Sequence, residues 1–227
     1  DIEKIPANNL KSFCKKYAKQ NPDFVNQLKT YLENSQTKEK KRNKGHYIAQ
    51  IEKSASRYED RYGFIDYYSA RGAFEKVFSL LEKADKFISK QNIEEAMSIA
   101  MAVFETTSDM CQNLDDSDGM VSDAMYQSQE LFQIIMDHEK STDSINQELF
   151  SWLQAEYQKD KYKNFFGDDL LLDLLIHVAK KTSSSELLLP LIDRQLEEAK
   201  YDYDKQSLLL KKIDLLKGKK HSGKALK

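Results

Sequence analysis

An all-α fold is what this sequence predicts, on three observations. Gly and Pro are scarce, 7 and 3 in 227 residues, whereas sandwiches and α/β domains need turn residues at every reversal and ordinary usage is about 7% Gly and 5% Pro. Apolar residues recur at three- and four-residue steps along most of the chain. Six of the glycines (Gly45, Gly63, Gly119, Gly167, Gly218 and Gly223) fall where a helix would end or a loop would turn, with Gly72 the exception.

The first helix is expected over residues 9–19, with Leu10, Phe13, Cys14 and Tyr17 on one face. Asn21-Pro22-Asp23 restarts the chain as N-cap, first-turn proline and a carboxylate suited to the positive helix end. Phe24, Val25, Leu28, Tyr31 and Leu32 then form the stripe of a second helix. Residues 38–44 are a basic run that includes Lys40, Lys41 and Arg42. It reads as a solvated connector or polar helix start ahead of a patch for phosphate groups or an acidic partner, because the chain is net acidic at −2.

A third helix is expected over residues 46–58 through Tyr47, Ile48, Ile51, Ala55 and Tyr58. After Gly63, Asp66 is placed to cap a long helix running through Ala70, Phe74, Val77, Leu81, Ala84 and Ile88. Asn92 with Glu95 has the spacing of a capping box, opening a helix whose stripe is Ile93, Ala96, Met97, Ala100, Phe104, Thr107 and Cys111. Further helices are expected through Val121–Met136, after the cap Ser141-Thr142-Asp143, over the apolar run 170–179, after a second capping box at Ser183 and Glu186, and over 201–216. Pro190 sits too deep for a first-turn residue, so a kink or a late start is expected there. Short connectors between about ten helices suggest a degenerate, tetratricopeptide-like stack of antiparallel hairpins in a single domain, residues 1–227. Any internal boundary is expected near 140–143, and residues 217–227 read as a frayed basic tail.

Most chemistries fit the residues poorly. The acidic loop Asp115-Asp116-Ser117-Asp118-Gly119 invites a calcium site, but setting Gly119 at the sixth EF-hand position puts Leu114 first and Met125 twelfth, and neither can ligate. Its carboxylates read instead as caps for the following helix. His46, His138, His177 and His221 lack i,i+4 spacing and cysteine neighbours. There is no phosphate loop, nucleophile elbow or Cys–His pairing, so no catalytic residue, metal ligand or cofactor is assigned, and a non-enzyme is expected. Two cysteines far apart in sequence suggest a reducing, cytoplasmic setting, and no apolar run reaches the ~20 residues that span a bilayer.

Gly63-Phe64-Ile65-Asp66-Tyr67 before a long helix, Asn92-Ile93-Glu94-Glu95-Ala96 opening the next and Asp115-Asp116-Ser117-Asp118-Gly119 closing it form an ordered set over residues 10–138. The set resembles the helical region downstream of the zinc finger in bacterial SWIM-type zinc-finger proteins; a related bacterial family of unknown function shares it. The resemblance implies a helical-repeat domain attached to a small zinc module that binds nucleic acid or protein. The Cys-x-Cys and Cys-x-His of that module are missing here, so any zinc or DNA role would belong to upstream sequence. A chain opening with Asp1 rather than Met is consistent with a fragment of a longer protein. The expected function is a non-catalytic protein-interaction or scaffold domain with an unknown protein partner, its surface drawn from Asp66, Tyr67, Asp115, Asp116, Asp118, Lys40, Lys41 and Arg42. The alternative is a nucleic-acid-binding accessory domain using residues 38–44 and 217–227.

Overall fold

The computed structural model describes residues 7–21, 24–25, 43–162 and 167–222. The chain parts into two compact units, Asp1–Arg42 and Asn43–Lys227. Among the described residues there are nine α-helices and no strand.

In the first unit, α1 spans Ala7–Gln20. Phe13 and Tyr17 share one face, as expected, and stack on each other with ring centroids 5.7 Å apart, both exposed. Phe24 meets the edge of Tyr17 at 5.1 Å. Asn21 turns its amide back to the Tyr17 carbonyl at 3.0 Å, so its side chain closes α1. The rest of the expected second helix, and Lys40, Lys41 and Arg42, lie outside the described residues.

The second unit holds α2 (Lys44–Ala55), α3 (Tyr67–Ser89), α4 (Ile93–Met110), α5 (Met120–Asp137), α6 (Asp143–Tyr157), α7 (Gly167–Lys181), α8 (Ser185–Glu198) and α9 (Asp202–Ser222). One apolar core runs from Tyr47 to Leu215 and continues across residues 140–143. Its axis is α4, which packs against α2, α3, α5 and α6. Sequence periodicity assigned α4 a single stripe, yet Ile99, Met101, Ala102 and Val103 are buried as well. Being surrounded by neighbours, α4 has almost no solvent face to keep polar. The other helix that reads apolar all round, α7, is buried along Leu170–Ala179 except for Asp173 and His177.

Several ends differ from the sequence reading. α2 stops at Ala55, and Tyr58 folds its ring over Gly72. A Cβ on Gly72 would lie 2.3 Å from that ring, which accounts for a glycine inside α3. Gly45 is the second residue of α2, as expected for a helix start, whereas Gly218 lies within α9, which carries residues 217–222 as helix. α8 passes through the exposed Pro190 unbroken, starting at Ser185.

Neither expected capping box forms. Asn92 makes no side-chain cap bond, and Glu95 is buried, accepting the Tyr47 hydroxyl. Ser183 adopts φ 57° and the cap position falls on Ser184, whose hydroxyl accepts from Thr182 Oγ1 at 3.0 Å. Both hairpins instead close through a left-handed residue. Gln91 (φ 60°) lets the Asn92 N–H reach the Phe87 carbonyl at 2.9 Å, and Ser183 lets the Ser184 N–H reach that of Ala179 at 2.9 Å. These are the six-to-one bonds that finish a helix, made without the usual glycine. Gln91→Gly is therefore expected to stabilise the fold by a few tenths to about 1 kcal/mol by relieving the left-handed strain, net of glycine's entropy cost. Chemical denaturation would read this as a higher midpoint; an unchanged or lower one would contradict it.

Candidate functional site

The loop between α2 and α3 is built around Asp60. Its Oδ1 accepts the N–H groups of Tyr62 (2.8 Å) and Phe64 (2.9 Å), and its own N–H donates to the Phe64 carbonyl at 2.8 Å. Gly63, at φ 80°, supplies the left-handed turn. The turn pushes Tyr62 and Phe64 outward and sends Ile65 into the core, where it is 3% exposed. The Ile65 N–H donates to the Asn113 carbonyl and the Asp115 N–H donates to the Ile65 carbonyl, both at 2.9 Å. This isolated parallel bridge between Ile65 and Leu114 stitches the Gly-Phe-Ile-Asp-Tyr segment to the acidic loop.

Each predicted acidic residue then has a definite task. Asp66 caps α3, accepting the Ser69 N–H at 2.8 Å, and bonds from Ser69 and the Tyr68 N–H hold its carboxyl below the usual range. Asp115 closes its own loop by accepting the Ser117 N–H at 3.1 Å and the Ser117 hydroxyl. Asp116 accepts the Val121 N–H at 3.0 Å and so caps the first turn of α5, while Gly119 at φ 73° occupies the N-cap position. Asp118 accepts the Tyr67 hydroxyl at 3.1 Å across 51 residues of sequence. That bond, followed by the nearby negative charge, raises the Tyr67 hydroxyl above its ordinary pKa.

Asp66, Tyr67, Asp115, Asp116 and Asp118 thus gather on one surface at the N-terminal ends of α3 and α5. Apart from Tyr67, sequence reasoning did not place the neighbouring aromatic residues Tyr62, Phe64 and Tyr68 on this surface. Tyr62 is 77% exposed and Tyr68 89%, with Phe64 and Tyr67 also exposed. Their signal was present in the sequence, but an aromatic residue near a helix is ordinarily assigned to the core. The Tyr67 and Tyr68 rings meet edge to face at 5.5 Å, and the Arg61 guanidinium lies 4.6 Å over the Tyr62 ring. Electron-rich faces beside acceptor-only carboxylates favour a cationic partner, and Arg61 already shows a guanidinium bound this way.

A second cluster was not legible at all. Glu105 accepts Lys44 and, at 3.0 Å, Lys159; Glu156 accepts Lys159 at 2.7 Å and the Tyr162 hydroxyl at 3.0 Å. Lys161 donates to Asp109 at 2.8 Å and to the Glu105 carbonyl at 3.1 Å. Lys44 also lies 5.7 Å over the Trp152 ring. One member of the predicted basic run is thereby engaged with α4 and α6. The surface depressions on α5, lined by Glu130, Gln133, Ile134, Asp137 and His138 and by Leu81, Asp85, Gln127 and Leu131, contain no member of this network. His177, half-buried within α7, lies 3.3 Å from Asp137, which also pairs with Lys181 at 2.7 Å. Among the described residues, no group of three or more His, Cys, Asp or Glu side chains is arranged to hold a metal ion, and no helix is long and apolar enough to cross a membrane. Compared with protein-family models, curated proteins and solved structures, the chain matches none of them.

Proposed function

We propose that this chain is a non-catalytic protein-interaction or scaffold domain, a degenerate tetratricopeptide-like stack serving as the helical part of a SWIM-type zinc-finger protein. The stacking reading is supported by helices that pack on their next and next-but-one neighbours, as α2, α3, α4 and α5 do. The observation that carries the functional reading is the union of the Gly-Phe-Ile-Asp-Tyr segment and the acidic loop through the Ile65–Leu114 bridge and the Tyr67–Asp118 bond. Both segments also carry the family resemblance. Their junction displays four exposed aromatic side chains beside carboxylates, and clustered tyrosines are characteristic of binding surfaces rather than of inert ones. The partner that fits is an arginine- or lysine-bearing peptide segment.

The test uses a fluorescein-labelled arginine–serine dodecapeptide and a 20-base-pair duplex DNA, each titrated at low and moderate salt. The peptide is expected to bind, and Tyr62→Ala with Tyr68→Ala is expected to weaken binding about five- to thirtyfold, the loss of two aromatic contacts each worth about 0.5–1 kcal/mol. Both residues are so exposed that folding should be unchanged. Peptide binding that is absent at low salt, or indifferent to the double variant, overturns this reading. Duplex binding with a steep salt slope and no peptide binding would favour the nucleic-acid alternative through residues 38–44 and 217–227.

A further inference from the structure

The outer face of α9 is strongly apolar. One side of α9 is committed to the fold: Leu215 is buried, Lys211 pairs with Asp173, Lys212 with Asp193, and Asp214 with Lys180. The other side carries Tyr203, Leu209, Leu210, Ile213 and Leu216, all between 40% and 80% exposed. At 100° per residue these five fall on one stripe, joined by Gln206 and bounded by Asp202 and Lys217. A stripe of five large apolar residues needs a cover.

The order of residues along the stripe identifies the cover. Asp202 and Lys217 are equally far in sequence from the midpoint between Leu209 and Leu210, and so are Tyr203 and Leu216, and Gln206 and Ile213. A second α9 laid antiparallel about a two-fold axis at that midpoint would set Leu209 against Leu210, Leu216 against Tyr203, and Lys217 against Asp202 at both ends. A parallel arrangement would set Asp202 against Asp202 and Lys217 against Lys217. The antiparallel arrangement therefore satisfies both the apolar stripe and the flanking charges, and it also opposes the two helix dipoles. We propose that α9 is a homodimerisation helix, joining two copies of this chain through an antiparallel, two-fold contact centred on Leu209 and Leu210. This surface is separate from the aromatic one at the α3 and α5 N-termini, and neither inference depends on the other.

Sedimentation equilibrium of the full chain, under reducing conditions and over a hundredfold range of concentration, tests the proposal. A mass rising towards twice the 26.4 kDa of one chain is expected, and Leu209→Glu with Leu210→Glu should leave a monomer with unchanged helical circular dichroism. Asp202→Lys should weaken the dimer and Asp202→Lys with Lys217→Asp should restore it, a rescue that general hydrophobic association would not show. A wild-type monomer throughout overturns the proposal, as does a dimer untouched by the double glutamate variant. Co-sedimentation of a monomeric wild type with phosphatidylserine vesicles, lost in that variant, would assign the stripe to a lipid surface instead and also overturn it.

Discussion

Phe104→Ala is expected to cost about 3–5 kcal/mol of folding stability, the range for truncating a fully buried aromatic side chain. Phe104 is 0% exposed on the central helix α4. Its ring lies 6.3 Å from Phe132 of α5, 6.3 Å from Trp152 of α6 and 5.9 Å from Tyr162 in the 3-10 turn beyond α6. Removing it opens a cavity at the point where four elements meet, and none of them can collapse inward without disturbing another. Since domains are stable by only about 5–15 kcal/mol, such a loss should be visible as a much lower urea midpoint with little change in slope. Phe104→Leu should cost distinctly less because it fills most of the volume. Equal midpoints for Phe104→Ala and wild type would show that the aromatic cluster does not hold these helices together.

Glu156→Ala is the second large effect, expected at about 2–4 kcal/mol. The carboxylate is 2% exposed and takes bonds from Lys159 and the Tyr162 hydroxyl. Truncation leaves that hydroxyl buried without its acceptor, which costs about 1–3 kcal/mol. It also strips Lys159 of one of its two anions, a smaller loss because Lys159 is 41% exposed at its side chain and can recruit water. Loss of stability comparable with that of an exposed surface variant would mean that the network is an ornament of the fold.

The same network sets the expected pH dependence. Burial pushes the Glu105 carboxyl upward, but its bonds from Lys44 and Lys159 outweigh this and hold it below the ordinary range. A depressed carboxyl contributes stability that is present above the unfolded value of about 4.3 and is lost as pH falls through the folded value. At the other end, burial and the adjoining Glu156 raise the Tyr162 hydroxyl. Burial lowers the Lys159 ammonium, yet its bonds to Glu156 and Glu105 raise it overall. Raised groups contribute stability that is complete below their unfolded values, about 10 for both, and is lost as pH rises above them. Denaturation midpoints measured from pH 3 to 11 should therefore fall at both ends, and Glu105→Gln should flatten the acid limb in particular.

Helix content was legible because it depends on local facts: few glycines and prolines, three-and-four periodicity, and an Asp66 whose cap needs only the three residues after it. The helix ends were less legible. Ser183 with Glu186 and Asn92 with Glu95 have the right spacing for capping boxes, but spacing does not reveal that Tyr47 reaches Glu95 from 48 residues away. Nor does it reveal that Gln91 and Ser183 take the left-handed turn themselves. The acidic loop was half legible, since Asp116 does cap α5, while Asp118 turned out to hold Tyr67.

By itself, then, the sequence determined that this protein is helical, where most of its helices lie and that the acidic loop lacks the ligand spacing of an EF-hand. Those properties follow from backbone propensity and from ligand spacing within one segment. Tertiary structure alone decided that α4 is the axis of the core, that Lys44 pairs with Glu105 rather than extending a basic patch, and that two short motifs become one aromatic and acidic surface. Each of these depends on contacts between residues far apart in sequence, 61 positions for Lys44 and Glu105 and 51 for Tyr67 and Asp118, whose closeness is set by how the helices pack and leaves no mark in local periodicity.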